Sequence, residues 1–501
     1  MEYRLFQKAL FGLGLLSTLS VAVPAYAQET FDVVIRGGRV MDPETGLDAV
    51  RNVGIRGQTI VAISEEPLEG ATVIDAAGLV VAPGFIDLHA HGQSNAANRY
   101  QARDGVTTAL ELESGVPDAR LFLEERRGDA ILNFGATVAH GLARTAVMPE
   151  YASDVEAALS ALDSDVTSEQ LAALERTMSQ GNYDELDPVL YPQLFERLKA
   201  GMDAGALGIG MPHQYYPGAN RDEIYRVFEF AGQEQFTIYT HVRSMGIDAI
   251  QEVVANATAT GAPLHIVHLN SSSLWAIETN LDLIRGAQEA GVDVTTEVYP
   301  YTAASTSLES AIFDEGWQER LQISYGDLQW QDTGERLTEE TFRSYREQGG
   351  VVIIHMMRPE WIEMGLEASH VMVASDGMPY APGAHPRGAG TFARFLGRYV
   401  RDEGALPLMD GLRKVTLMPA QRLETTSPQM KRKGRLQIGS DADITIFDPA
   451  RIIDTATFED DLSYSIGVEF VMVNGTLVVR DGENVDGARP GLPIVGRRVV
   501  F

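Results

Sequence analysis

Two histidines one residue apart, His89 and His91, end the apolar, β-forming run Val80–His91 (Val-Val-Ala-Pro-Gly-Phe-Ile-Asp-Leu-His-Ala-His). Side chains alternate along a strand, so both imidazoles leave the same side of a strand tip and can share one metal ion. Chemically similar residues end later apolar runs, in Tyr239-Thr240-His241, Ile266-Val267-His268 and Ser375-Asp376-Gly377. Taken singly, His241 and His268 read equally well as hydrogen-bonded core histidines, and Asp376 as a turn or helix N-cap. Together, four imidazoles and a carboxylate suit metal-assisted hydrolysis: a divalent ion lowers the pKa of a water towards neutrality. Asp376, as general base, takes the proton and passes it to the leaving nitrogen. The chain has no cysteine, so any metal site is built from His, Asp and Glu, which favours zinc or a similar divalent ion.

The elements that must position these residues follow a strand–helix alternation. Candidate strands are Gly84–His89, Thr107–Leu112, Ile131–Val138, Ala206–Met211, Phe236–Val242, Pro263–Leu269, Asp293–Tyr299 and Val371–Ser375. Helical text falls between them at Val155–Leu162, Ser168–Met178, Arg221–Ala231 and Leu281–Ala290. Eight such strands predict a (β/α)8 TIM-like barrel, whose active site lies at the C-terminal strand ends. There the histidine pairs and Asp376 fall on strands one, five, six and eight. The second strand adds Glu111 and Glu113 on one side near its tip. A glutamate aimed into a barrel mouth is costly unless paired or metal-bound, so either is a candidate bridging ligand, with Glu113 favoured as nearer the tip. His213, after the fourth strand, reads as a rim residue within reach of substrate.

The ends of the chain read differently, as short alternating strands. Asp32–Arg36, Val53–Arg56, Ile60–Ile63 and Thr72–Asp75 precede the barrel; Ala442–Phe447, Val468–Val473 and Thr476–Arg480 follow it, the last two joined by Asn474-Gly475. A discontinuous small antiparallel β-sandwich built from both termini is expected, over residues 28–82 and 426–501. The barrel then spans 83–425, with a lid insertion at about 303–368 that holds Trp317–Trp330, a helix at Glu339–Glu347 and a strand at Val351–His355. Lys431-Arg432-Lys433 reads as a solvated turn.

Residues 1–27 carry Arg4 and Lys8, an apolar segment and Ala25-Tyr26-Ala27, the pattern of an export signal with periplasmic or secreted destination. The apolar segment is short for a membrane span and no cysteine follows the cut, so no stable membrane anchor is expected. A formal charge of −30 argues against a nucleic-acid partner. A small-molecule substrate remains; composition leaves the subunit number open.

Gly84-Phe-Ile-Asp-Leu-His-Ala-His, the Gly105-Val-Thr-Thr strand, the Thr-His and Val-His strand ends and Ser-Asp-Gly together resemble the amidohydrolase superfamily. Tyr299-Pro-Tyr-Thr-Ala, His385-Pro-Arg, Gly390-Thr-Phe, Leu396-Gly-Arg-Tyr and the tail from Asn474 to Gly491 are similar to its D-aminoacylase (N-acyl-D-amino-acid deacylase) branch. The resemblance implies one or two zinc ions and hydrolysis of linear amides in N-acyl-D-amino acids. It makes His89 and His91 ligands of one site, His241 and His268 ligands of the other, and Asp376 the base. It also implies that Arg387 grips the substrate carboxylate, with help from Tyr301; a structural ion pair is the alternative for Arg387. Two departures stand out. The branch's bridging cysteine is absent, with Ser114 at the aligned position, and its lysine after the sixth-strand histidine is Asn270. Arg243 either restores that positive charge or forms a rim salt bridge. Hydrolysis of cyclic amides or isoaspartyl peptides is the rival reading, weakened by the lack of a lysine at the fourth strand's end. A non-catalytic binding barrel is the third, and it predicts lost ligands where none is lost.

Overall fold

The computed structural model describes residues 30–162, 180–459 and 463–499. The expected export signal and the expected helix Ser168–Met178 lie outside them. Eight strands, Phe85–Asp87, Val106–Val116, Asn133–Ala139, Ile209–Gly210, Ile238–Thr240, Leu264–Ile266, Val294–Val298 and Val371–Val373, pair in parallel, each with its sequence neighbour. Each coincides with an expected strand. Their near-continuous apolar text follows from burial on both faces.

The ring comes close to closure through polar stitching between its first and last strands. Ala90 bridges Gly377, and His91 N–H donates to the Gly377 carbonyl at 2.8 Å. Beneath them the Asp87 carboxylate accepts from the Ser375 amide, at 3.0 Å, and from the Ser375 hydroxyl. Complete burial pushes the Asp87 carboxyl up to about 6, against the pull of those hydrogen bonds.

The Val80–His91 run is two strands rather than one. Val80–Pro83 belongs to the terminal sheet, pairing with Phe31–Asp42 and with Ile444–Phe447, whereas Phe85–Asp87 opens the barrel. Gly84 is the joint. Its N–H donates to the Asp443 carbonyl, and a Cβ there would stand 2.2 Å from the Thr107 side chain. Only glycine lets the chain pass from one sheet to the other so closely.

The two termini build one nine-stranded sheet. It curls far enough for Thr59 to bridge Asp441, so that Ile60 and Leu477, far apart in strand order, share one apolar core with Ile35, Val53 and Ile444. Two of its pairings are parallel, because Gly70–Asp75 and Val80–Pro83 both lie alongside Phe31–Asp42 after crossover connections. That corrects the expectation of a wholly antiparallel unit. Asn474 and Gly475, at φ 47° and 79°, turn the last hairpin as expected. Lys433 is not solvated: its ammonium is buried and paired with Asp443 at 2.6 Å and Asp441 at 3.0 Å.

Between the seventh and eighth strands an inserted antiparallel sheet has Val351–Ile354 at its centre, flanked by Ala304–Ser307 and Leu328–Trp330. The inserted segment also holds an aromatic cluster in which Trp317 stacks on Phe342 and Trp330 on Tyr345. A helix at Pro359–Glu367, which falls within the bounds expected for the insertion (about 303–368), packs on the barrel, where Gly365 lets it approach Val298 of the seventh strand. No helix among the described residues is long and apolar enough to cross a membrane.

Candidate metal centre

Six side chains from strand tips one, two, five, six and eight converge in two trios: His89, His91 and Asp376; and Glu113, His241 and His268. Within each, one donor atom per residue lies within 4.8 Å of the others. One carboxylate joins the trios. Glu113 Oε1 stands 3.0 Å from His241 Nδ1 and 3.1 Å from His268 Nε2, while Oε2 stands 3.4 Å from His89 Nε2 and 3.2 Å from His91 Nε2. Asp376 Oδ1 lies 3.4 Å and 3.5 Å from the same two His nitrogens. Of the two second-strand glutamates, then, Glu113 spans the trios. Glu111 turns aside, holding His91 Nδ1 at 2.7 Å and accepting from the Ser114 amide at 3.1 Å.

Each histidine faces the cluster with one nitrogen and is anchored by the other. Glu297 holds His89 Nδ1 at 2.6 Å, Glu111 holds His91 Nδ1, Gln214 Oε1 holds His241 Nε2 at 2.6 Å, and Ser272 Oγ lies 3.1 Å from His268 Nδ1. Such partners fix the tautomer that leaves a lone pair facing inward, which is what metal ligation requires. Two members of the cluster, His268 (φ 33°) and Asp376 (φ 52°), also sit in the left-handed backbone region. That strain costs on the order of 1–3 kcal/mol per residue and persists because the surrounding structure fixes it.

The electrostatics call for a cation. Burial disfavours charge on His89 and His91, yet both are held well above the ordinary histidine range by neighbouring carboxylates: Asp376, Glu297 and Glu113 around His89, and Glu111 foremost around His91. For His241, burial and then the nearby His268 lower the pKa and keep the ring neutral. Burial also opposes the charge on Asp376, but the Arg387 guanidinium, 2.8 Å from Oδ2, and the His89 charge pull it below the usual carboxylate range. Imidazole and carboxylate donors, crowded and short of positive charge, fit a zinc-like divalent ion in each trio.

Glu297 gave no signal in the sequence, being one glutamate inside an apolar strand. It is buried between two histidines, with His265 Nε2 3.1 Å from its other oxygen. Burial works against its charge, but His89 first and then the His265 hydrogen bond push it down to about 2. Glu297→Gln should weaken metal binding about 10- to 100-fold, as loss of a ligand-orienting carboxylate does. Competition with a chromogenic chelator measures this, and unchanged affinity would remove Glu297 from the site.

Beside the trios opens a cavity of about 560 Å³, bordered by Glu113, His241, Asp376 and the insertion strand Ala304–Ser307. Arg387, Tyr301, Asn270 and Arg243, the side chains weighed for substrate contact, each have protein partners in this structure. Arg387 is buried over the Tyr299 ring and ion-paired with Asp376, so it grips the cluster's own carboxylate. Tyr301 is buried with its hydroxyl 3.4 Å from Asp454. Asn270 is buried too, donating to the Tyr299 carbonyl at 3.1 Å. Arg243 forms the rim salt bridge, to Glu252 at 3.1 Å. His213 lies fully buried beneath the rim, with Nδ1 3.2 Å from the Thr240 hydroxyl.

The amidohydrolase family profile matches residues 72–479. A D-aminoacylase of Alcaligenes xylosoxydans xylosoxydans is 28% identical over 504 aligned positions, covering 90% of this chain and 95% of that protein. An N-acyl-D-glutamate deacylase of the same organism is 30% identical over 482 positions, covering 90% and 94%. The crystal structure of an N-acyl-D-glutamate deacylase from Bordetella bronchiseptica, complexed with zinc and a phosphonate mimic of the tetrahedral intermediate, shares the fold. Its TM-score is 0.76 at 24% identity, over 93% of this chain and 100% of that one. By the extent of the profile match and the full-length relatives, the chain belongs to the amidohydrolase family.

Proposed function

We propose that this chain is an exported, zinc-dependent hydrolase of linear amide bonds in N-acyl compounds, the class to which N-acyl-D-amino acids belong. The observation that carries this reading is the pair of trios joined by Glu113, with all four imidazoles oriented by a second partner. His89, His91 and Asp376 would hold one ion, and Glu113, His241 and His268 the other. A divalent ion so held supplies Lewis acidity, making a water nucleophilic near neutral pH and polarising the substrate carbonyl.

Asp376 does the proton work. Its Oδ1 faces the His89 and His91 nitrogens, while Oδ2 is tied to Arg387, which keeps the carboxylate ionised and able to accept. It takes the proton of the attacking water as the oxygen joins the acyl carbon. It then returns that proton to the amide nitrogen as the C–N bond breaks, releasing a carboxylic acid and an amine, between which the remaining proton of the water then passes to give carboxylate and ammonium. Export rests on the signal pattern of residues 1–27. Hydrolysis of cyclic amides or isoaspartyl peptides would use the same core, but the carboxylate between the trios comes from the second strand. The fourth ends at Ile209–Gly210 and runs into Met211-Pro212 with no lysine.

Purified mature protein, reconstituted with zinc, should release amine from N-acyl-D-amino acids or related N-acyl compounds. It should be slower on hydantoins and isoaspartyl dipeptides. Turnover confined to the latter two would replace the substrate class, and no turnover on any would leave a binding barrel.

A further inference from the structure

One buried imidazole close to the trios has no part in the proposed chemistry. His265, on the sixth strand, is fully buried and stands in register with Thr295 of the seventh. Its ring extends the anchoring of His89 into a chain of side chains. His89 Nδ1 meets Glu297 Oε1 at 2.6 Å, His265 Nε2 meets Glu297 Oε2 at 3.1 Å, and Thr295 Oγ1 meets His265 Nδ1 at 2.8 Å.

The donors along this chain follow from the groups themselves. An ionised carboxylate only accepts, so each Glu297 oxygen takes an N–H from one imidazole. His265 then offers Nδ1 as an acceptor, and the Thr295 hydroxyl fills it. Burial foremost lowers the His265 pKa and keeps the ring neutral, so one tautomer satisfies every polar atom. The two Glu297 oxygens are not equally served. Oε1 has a second donor in the His268 amide, at 3.5 Å, whereas among the described residues Oε2 has only His265. A hydrocarbon at position 265 would orphan a buried carboxylate oxygen, and Glu297 would turn away from His89 to find a donor.

We propose that His265 is a positioning residue for the metal centre: by holding Glu297 Oε2 it keeps Oε1 on His89, and so keeps His89 Nε2 aimed at the cluster. This rests on the divalent ion assigned above to His89, His91 and Asp376. Metal-free protein would be titrated with zinc against a chromogenic chelator. In His265→Leu one of two zinc equivalents should bind at least about fivefold more weakly, with the other within about twofold of wild type. The loss is smaller than the 10- to 100-fold typical of a direct ligand partner, because it passes through Glu297. His265→Gln keeps an N–H donor for Glu297 and should return both affinities to within about twofold of wild type.

A histidine that merely filled the core would lower the thermal midpoint of His265→Leu and leave both affinities alone, which overturns the proposal. A His265→Gln variant as weak as His265→Leu also overturns it. Where His265→Leu does not fold, Thr295→Val carries the test, since it keeps the side-chain shape and removes only the hydroxyl that fixes the His265 tautomer. One equivalent weakened at least about threefold supports the positioning role, and two unchanged equivalents overturn it. Wild-type protein that binds no zinc would overturn the proposed hydrolysis as well, whereas zinc held alike by wild type and variants removes His265 alone.

Discussion

Asp376→Asn should lower kcat by about 10²- to 10⁴-fold, the usual contribution of a positioned general base. Asparagine keeps the shape of the side chain and, of the neutral residues, is among those that best tolerate the left-handed backbone at this position, where φ is 52°. Loss of activity through a rebuilt loop is thereby minimised. What the substitution removes is the proton acceptor and the ion pair with Arg387. A buried guanidinium left without its carboxylate lowers stability as well, so the thermal midpoint should fall together with kcat. Elemental analysis separates the two effects. The His241, His268 and Glu113 trio is untouched, and at least one equivalent of metal should remain in the folded variant. Turnover within a few-fold of wild type, in protein that keeps its metal, would remove Asp376 from the proton path.

How much of this was legible in the sequence depends on how local each signal is. The barrel strands are short apolar runs, and the alternation of side chains along a strand is enough to put His89 and His91 on one side and Glu113 near a tip. The same alternation fails where a partner is remote. Glu297 and His89 are separated by 208 residues, and nothing within either strand announces their 2.6 Å contact. Residue type and family resemblance point Arg387 to the substrate or to an ion pair, Arg243 to a restored charge or to a rim salt bridge, and Tyr301 to the substrate. Each is long enough to reach a protein partner instead: Asp376, Glu252 and Asp454. Lys433 failed for a related reason, because a charge run in a loop looks solvated unless one knows that Asp441 and Asp443 of the terminal sheet lie against it. The two-sheet nature of Val80–His91 was hidden because Pro83-Gly84 punctuates the run without saying where the chain goes next.

Glu113→Gln should abolish one of two metal sites. The carboxylate makes four approaches of 3.0–3.4 Å, two from each oxygen, and it is the sole anionic donor in its trio, whereas the other trio keeps Asp376. A glutamine offers one acceptor oxygen and turns an NH2 group towards the remaining imidazoles, where it can only compete with a cation. The His241–His268 ion should then bind at least about 100-fold more weakly, beyond the 10- to 100-fold typical of losing an outer partner. Dialysed protein should carry close to one equivalent, retained by His89, His91 and Asp376. Ser114→Ala is the matched control: its backbone amide donates to Glu111, and its hydroxyl has no place in either trio, so metal content should not change. The pair of variants asks which residue on this strand joins the trios. Two equivalents kept by Glu113→Gln, or one lost in Ser114→Ala, would return that role to the position where the D-aminoacylases place a cysteine. In a chain without cysteine, a carboxylate between the trios keeps an anion there whatever the redox state of its surroundings.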